Sequence, residues 1–298
     1  MNDLAQTLFN KITERNQFQK KYLKKLEWGG LTESEQKELD NVLHFFLEEL
    51  HYDLDYIANA YIFINDMVME ETYYFIKNGK YRYSSFAEVD KIVYSDPEYM
   101  EKYMIGLSIS DYIWINHIKM LRYFEENIGK FRGERYLEIG PGFGQYLTRA
   151  LTQGEFTTYD VCDVSKTSVD RCNKYLKYRG LSDKCTVVER NFFQYDSNYK
   201  YDCIVMGEVL EHVEEPELML EKIYELLNQD GKAFITTVIN APTVDHIALF
   251  ESIEQVLGMV KGVGFKVNDY QCTTEGDTPL EKVIRRKQAI TIAMILEK

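Results

Sequence analysis

Two regimes of hydrophobic spacing divide the chain near residue 130. Before that point apolar positions recur three and four residues apart. Leu4, Leu8 and Ile12 share one helical face, and Phe18, Tyr22 and Leu26 continue the spacing. Trp28-Gly29-Gly30 stops the run. Thr32 and Glu35 have the spacing of a capping box, and they open a stripe of Leu39, Val42, Leu43, Phe46, Leu47 and Leu50. Asn78-Gly79 reads as a turn, and Asp96-Pro97 as an N-cap followed by a first helical residue. Ser110 reads as the cap of a helix carrying Ile113, Met120, Leu121 and Phe124. Residues 1–130 are therefore expected to form an α-helical domain.

After residue 130 short apolar runs alternate with helical ones. Strands are expected at 135–139, 156–163, 185–189, 201–206, 232–239, 265–272 and 289–296. Helices are expected at 145–153, 166–179, 216–227 and 252–260, the last stopped by Gly262 and Gly264. Strands separated by helices imply an α/β domain with a parallel sheet covered on both faces. The last two strands have only a long polar loop between them, which implies an antiparallel edge.

Composition narrows the function classes. The chain has 298 residues, 45% of them hydrophobic, and a formal net charge of −13. Its basic runs (Lys20, Lys21, Lys24, Lys25; Arg285, Arg286, Lys287) are short, so a phosphate backbone is an unfavourable partner and no nucleic acid is expected. Five cysteines with no C-x-x-C pair suggest a reducing compartment and no structural zinc. No apolar stretch approaches the roughly 18 residues of a membrane span. The polar start from Asn2 lacks a secretory leader, so a cytoplasmic location and no membrane partner are expected.

The densest chemistry lies in residues 137–146. A strand ends in Glu138, and Gly140, Gly142 and Gly144 follow at every second position around Pro141 and Phe143. Glycine lets a ligand lie against bare backbone. The spacing is not the G-x-G-x-x-G of dinucleotide sites. Glu138 would repel a pyrophosphate and favour a ligand with a cationic, phosphate-free end. S-adenosylmethionine, with its sulfonium, ammonium, ribose and adenine, fits.

Three further motifs follow in order: Cys162-Asp163-Val164-Ser165, Glu189-Arg190-Asn191-Phe192-Phe193 and Gly207-Glu208-Val209-Leu210-Glu211-His212-Val213. With these, residues 131–298 resemble a class I S-adenosylmethionine-dependent methyltransferase, most like the small-molecule enzymes of the ubiquinone and menaquinone pathways. The resemblance implies a Rossmann-like, seven-stranded, doubly wound sheet whose last strand is antiparallel. It places Glu138, Gly140, Pro141, Gly142 and Gly144 at the methionine end of the cofactor. Asp163, with Val164, would bind the ribose hydroxyls, Asn191 and Phe192 the adenine, and Glu208 and Val209 the cleft. The segment His246–Phe250 is similar to the family's H-x-x-x-F, which overhangs the methyl site. His246 is the first candidate for a general base, oriented by Asp245 or a neighbouring Glu, and His212 the second. Metal-requiring catechol-type relatives use Asp and Asn at the ends of strands four and five. Here strand four ends in Gly207-Glu208, Asn240 has no obvious acidic partner, and the Glu211–Glu215 cluster has no His-x-x-x-His companion. No metal is expected.

The helical domain lies outside the family core and could form a lid, an acceptor pocket or a homodimer surface. Tyr56, Tyr61, Phe63, Tyr73, Tyr74, Phe75, Tyr81, Tyr83 and Phe86 would suit a flat organic acceptor. Tyr112, Trp114 and His117 are candidate acceptor contacts. The expected activity is methyl transfer to oxygen, nitrogen or carbon of a small, aromatic or secondary-metabolite acceptor. The rivals are a peptide or protein methyltransferase, a non-catalytic S-adenosylmethionine-binding scaffold, and a nicotinamide oxidoreductase. The glycine spacing and the Glu208–Val213 segment count against the last.

Overall fold

The computed structural model describes residues 3–27, 30–276 and 278–298, without the side chains of 25–27. Trp28, Gly29 and the Leu26 side chain, which carried part of the first helical reading, lie outside the described residues. The N-terminal region is helical: α1 (Asp3–Arg15), α2 (Gln19–Glu27), α3 (Glu33–His44), α4 (Leu54–Asn78), α5 (Phe86–Ile92), α6 (Pro97–Ser110) and α7 (Ile115–Ile128). The capping box forms: the Glu35 amide donates to Thr32 Oγ1 at 3.2 Å, and the Thr32 amide donates to the Glu35 carboxylate at 2.7 Å. Gly79 ends α4 at φ +68°, a conformation that costs glycine nothing. Asp96 accepts from the Glu98 and Tyr99 amides at the start of α6, with Pro97 in the first turn.

Ser110 corrects the sequence reading. It is the last residue of α6, and its hydroxyl donates back to the Leu107 carbonyl at 2.7 Å. That back-bond satisfies the side chain locally, so the helix break falls between Asp111 and Trp114.

The remainder is a seven-stranded sheet of order β3-β2-β1-β4-β5-β7-β6, comprising β1 (Arg135–Ile139), β2 (Thr158–Asp163), β3 (Val187–Glu189), β4 (Tyr201–Gly207), β5 (Leu227–Ile239), β6 (Lys266–Thr274) and β7 (Ile290–Glu297). β1 to β5 pair in parallel, and β7 runs antiparallel to both β5 and β6. Helices α8 (Gln145–Gln153), α9 (Lys166–Tyr178), α10 (Pro216–Leu226), α11 (Ile253–Val263) and α12 (Leu280–Arg285) complete the fold. One expectation changes: the polar loop before β7 contains α12. The last two strands do form the antiparallel edge, with β7 beside β5 and β6 outermost. β5 also begins at Leu227, because Leu227 pairs with Tyr201 ahead of a polar stretch that hid the strand.

One sheet face packs Leu137, Ile204 and Met206 under α10 and α11. The other packs Tyr136, Val205 and Phe234 under α7 and α8. The two halves of the chain share a core. Phe143 and Tyr175 belong to the N-terminal hydrophobic cluster, with ring centroids 5.8 and 5.1 Å from Phe45. Arg179 pairs with Glu38 at 2.6 Å and Arg171 pairs with Glu101 across the same boundary. Among the described residues no helix is long and apolar enough to cross a membrane.

Candidate active site

The strand order reverses between β1 and β4, and ligands of open α/β sheets bind outside the carboxyl ends at such a point. A cavity of about 480 Å³ lies there, walled by the sheet loops below and by α6 and α7 above. A space of this size suits a small-molecule ligand.

The glycine loop follows from β1. Gly140 and Gly142 adopt φ +65° and +54°. A Cβ on Gly140 would sit 2.7 Å from Val209 Cγ2, whereas a Cβ on Gly142 would point into open space. The Gly140 amide donates to the Cys162 carbonyl at 2.8 Å, which ties the loop to the end of β2. There Asp163 accepts from the Ser165 amide at 2.8 Å and from the amides of Gly142 and Val164. Burial outweighs those bonds and pushes its carboxyl up to about 6. Pro141, Val164, Asn191, Phe192, Glu208 and Val209 also line the cavity. Asn191 Oδ1 accepts from the Phe193 amide at 2.9 Å and thereby fixes the turn that presents Phe192. Glu208 sits at φ +53°, and its carboxylate accepts from Thr236 Oγ1 at 2.8 Å.

Three expected contacts do not reach the cavity. Glu138 is buried beneath the loop, where it accepts from the Tyr136 hydroxyl and the Leu147 amide. Burial raises its pKa to about 8, so at neutral pH it presents little charge, and repulsion of a pyrophosphate is not its role. Gly144, at φ +91°, begins α8 against Cys172, 2.8 Å from where its Cβ would stand. Tyr112 is buried and donates to Gln145 Oε1 at 3.0 Å. Of the nine aromatics read as a possible acceptor wall, Phe86 alone lines the cavity. Tyr61 and Tyr81 are core, and Tyr73 is 78% exposed.

His212 and His246 converge from the turn after β4 and the loop after β5, with ring centroids 4.8 Å apart. His246 Nδ1 lies 2.6 Å from the Ala241 carbonyl oxygen, and His212 Nδ1 lies 3.0 Å from that of Asp245. A carbonyl can only accept, so each Nδ1 carries a proton. The Ala241 carbonyl therefore orients His246, where the sequence suggested Asp245 or a neighbouring Glu. Burial, and then the neighbouring His212, lower the His246 pKa to about 4, which keeps its imidazole neutral. Asp245 is buried and accepts from Tyr103 (2.8 Å), Tyr94 (3.2 Å) and Thr243 (2.7 Å), and it lies 3.4 Å from His212 Nδ1. Burial raises its pKa, but the two histidines and these hydroxyls outweigh that and hold it below the usual carboxylate value.

Glu211 completes the group. It is fully buried; Oε2 accepts from Thr237 Oγ1 at 2.7 Å, and Oε1 has no partner. Burial and then the Glu208 charge push its pKa well up. Ligand atoms of Glu211, His212 and His246 all lie within 4.8 Å of one another. The three side chains, with one Glu211 oxygen unpaired, are a candidate donor set for a divalent cation. Each imidazole is fixed from behind by a carbonyl, as metal-binding histidines usually are. The sequence reading weighed the strand-four and strand-five ends and the missing His-x-x-x-His; it did not weigh His246, which arrives beside Glu211 and His212 from the loop after β5.

Trp114 and His117 line the other end of the cavity as expected. The Trp114 indole N–H donates to the Tyr61 hydroxyl at 3.2 Å, and its ring meets His117 edge-on at 4.9 Å. His117 Nδ1 lies 3.3 Å from Asp111 Oδ1. Burial lowers its pKa, but Asp111, then Glu208 and Glu275, outweigh burial and raise it. The sequence reading missed Tyr94, Tyr103, Asp111, Thr273 and Glu275. None carries a local signal, because helices and the β6–β7 end bring them in from far along the chain.

Residues 137–233 match a family model described as a methyltransferase domain. The ubiquinone biosynthesis O-methyltransferase of Rickettsia conorii is 27% identical over 124 residues, 42% of this chain and 41% of the relative. The mitochondrial ubiquinone biosynthesis O-methyltransferase of Dictyostelium discoideum is 22% identical over 156 residues, 47% of this chain and 48% of that one. The chain thus spans about half the length of the curated relatives it matches. The structure of the mitomycin 7-O-methyltransferase MmcR superposes with a TM-score of 0.54 at 13% identity, over 83% of this chain and 71% of that one, a likeness of fold. Residues 137–233 thus match a methyltransferase domain, and the sheet order and the glycine loop around them agree with that match.

Proposed function

We propose that the chain transfers a methyl group from S-adenosylmethionine to a hydroxyl of a small-molecule acceptor. The cavity supports the methyl donor's place: Gly140 and Gly142 offer bare backbone, Asp163 an acceptor for vicinal ribose hydroxyls, and Phe192 an apolar face for adenine. Displacement at the methyl carbon requires the acceptor oxygen to be held about 3 Å away, in line with the departing sulfur, and to lose its proton. The observation that carries the reading is the group Glu211, His212 and His246 in the same cavity as that loop. Its donor atoms fit a divalent cation, which would supply Lewis acidity to a bound hydroxyl. The Ala241 and Asp245 carbonyls fix the imidazoles, and Thr237 fixes one oxygen of Glu211. Walls from α6 and α7 exclude water. On this reading the helical half supplies the acceptor side and the sheet half the methyl-donor side, with the division near residue 130.

The test is transfer of labelled methyl from S-adenosylmethionine to a panel of small phenols, with and without EDTA, then with added magnesium, manganese or zinc. Turnover lost to EDTA and restored by one cation is expected. Turnover insensitive to EDTA but lost in His246→Ala would make His246 a general base through its Nε2. No binding of S-adenosylhomocysteine would overturn the proposal.

A further inference from the structure

The end of the cavity farthest from Asp163 has a chemistry of its own. Asp111, His117, Glu208 and Glu275 line it, and the three carboxylates act together on His117. Asn116 Nδ2 donates to Thr291 Oγ1 at 3.2 Å, which anchors α7 over β7. Thr273 stands opposite Thr291 across the β6–β7 pair, so the two side chains share a face. Thr273 is 3% exposed, lines the cavity, and its hydroxyl has no partner. A buried hydroxyl left unpaired is costly and points to a ligand group that would satisfy it.

Charge is distributed unevenly in the cavity. Among its described lining residues Arg190 is the one Lys or Arg, and it sits beside Asn191 at the end of β3. The Thr273–Glu275 end therefore has carboxylates and, among the described lining residues, no Lys or Arg; His117, 3.3 Å from Asp111, is the basic side chain there. β7 lies four strands from β2, about 19 Å at ~4.8 Å per strand. A ligand anchored by its ribose on Asp163 leaves this end to a second molecule.

We propose that this end is an acceptor subsite for an ammonium group, with Asp111 and Glu275 facing the charge, Thr273 Oγ1 accepting an N–H, and Trp114 beside the acceptor's ring. The proposal rests on the methyltransferase reading and adds the acceptor's class: a small hydroxylated aromatic amine. An acceptor with a carboxylate in the same place would meet like charge. Asp111 and Glu275 are then residues that determine specificity, not catalytic ones.

The experiment is calorimetry on the full chain saturated with S-adenosylhomocysteine. The probes are tyramine and 3-(4-hydroxyphenyl)propionate, which share a phenol and differ in the charge at the chain end. Tyramine should bind more tightly by about tenfold or more, the scale of one charge-assisted bond. Glu275→Gln should narrow the ratio and Glu275→Lys should reverse it, while S-adenosylhomocysteine affinity stays within about twofold, since Glu275 is exposed and follows β6, away from the glycine loop. Asp111→Asn should narrow the ratio independently. Equal affinity for the two probes, tighter binding of the propionate, or binding of neither overturns the subsite. If S-adenosylhomocysteine itself fails to bind, the methyltransferase reading has failed first.

Discussion

His246 Nδ1 is 2.6 Å from the carbonyl oxygen of Ala241, so that proton is committed to the backbone and Nε2 is the nitrogen left for chemistry, on a ring that lines the cavity. Either role for that nitrogen, ligand or base, ends with the imidazole. His246→Ala and His246→Asn should each lower turnover by about 10²–10⁴-fold. Affinity for S-adenosylhomocysteine should stay within about twofold, because the glycine loop and Asp163 do not depend on this ring. Both are read from steady-state kinetics and calorimetry on the same preparations. Retention of more than about a third of turnover in both variants would make His246 structural, since a base or ligand is worth far more.

Asp163 gives the binding of the methyl donor a pH dependence. Its carboxyl, raised to about 6 by burial, must be ionised to accept from two hydroxyls. Affinity for S-adenosylhomocysteine should be flat above pH 7. As pH falls through about 6 it should weaken, by up to about tenfold per unit. The opposite sign holds for the free protein: an acid raised from ~4 in the unfolded chain lowers stability as pH rises to about 6, and the ligand offsets that. Asp163→Asn should weaken binding about tenfold, the cost of about one charge-assisted bond, and abolish the slope. Calorimetry from pH 5 to 8 checks both; an unchanged slope in Asp163→Asn would assign the titration elsewhere.

What the sequence made legible follows the range of each signal. The glycine loop, Asp163 and the turn after β4 are local: one strand end and one turn carry each, so their order alone pointed to the cavity wall that they line together. Glu138 misled because its place at a strand end says nothing about which way the strand faces; alternation puts it with Tyr136 under α8. The group of Glu211, His212 and His246 was half legible. Glu211 and His212 are adjacent in the chain, but their convergence with His246 depends on how the loop after β5 folds back onto that turn. Ile247 and Ala248 do this by donating their amides to the Glu211 carbonyl at 2.8 and 3.0 Å. Tyr94 and Tyr103 were invisible, because their hydroxyls matter only once α5 and α6 stand over Asp245. The short helix α12 was lost in a polar stretch with a weak apolar pattern, in which Val283 is the buried residue.

Tyr103 supplies the shortest hydroxyl contact that the helical half makes to the buried carboxylate of Asp245, at 2.8 Å. Tyr103→Phe keeps the ring and removes that bond. Loss of a hydrogen bond to a charged group costs about 1.5–3 kcal/mol. The variant should unfold at a lower temperature and turn over more slowly, because Asp245 also lies against His212. Scanning calorimetry and kinetics are the measurements; an unchanged midpoint would show that Tyr94 and Thr243 suffice.

Gly106 tests how firmly the cavity's helical wall must seat. It lies where α6 crosses α4, and a Cβ there would come within 2.5 Å of the Ala60 carbonyl oxygen and 2.7 Å of Ile64 Cγ2. The helices would have to separate. Gly106→Ala should cost about 1–3 kcal/mol as an overpacking change, against the usual gain from replacing a helical glycine. Because α6 carries Tyr103, Met104 and Leu107 to the cavity, acceptor KM should rise more than S-adenosylhomocysteine affinity falls. Denaturant titration and KM measurements decide it; a more stable variant would mean the helix contact has slack.

A chain beginning at residue 131 tests whether the methyltransferase domain stands alone. The division by secondary structure is sharp, but the core ignores it. Phe143 and Tyr175 lie among Phe45, Phe46 and Tyr178, and Phe124 of α7 meets Phe234 of β5 with ring centroids 4.9 Å apart. Removing the helices would expose those rings, at about 150–250 Å² for each large aromatic. It would also strand Arg171 and Arg179 without Glu101 and Glu38. The shortened chain should aggregate or unfold and bind no S-adenosylhomocysteine, whereas the full chain binds it. A soluble 131–298 fragment with native-like affinity would show instead that the helical half is a separable attachment, and that the methyl-donor side of the cavity is complete without it.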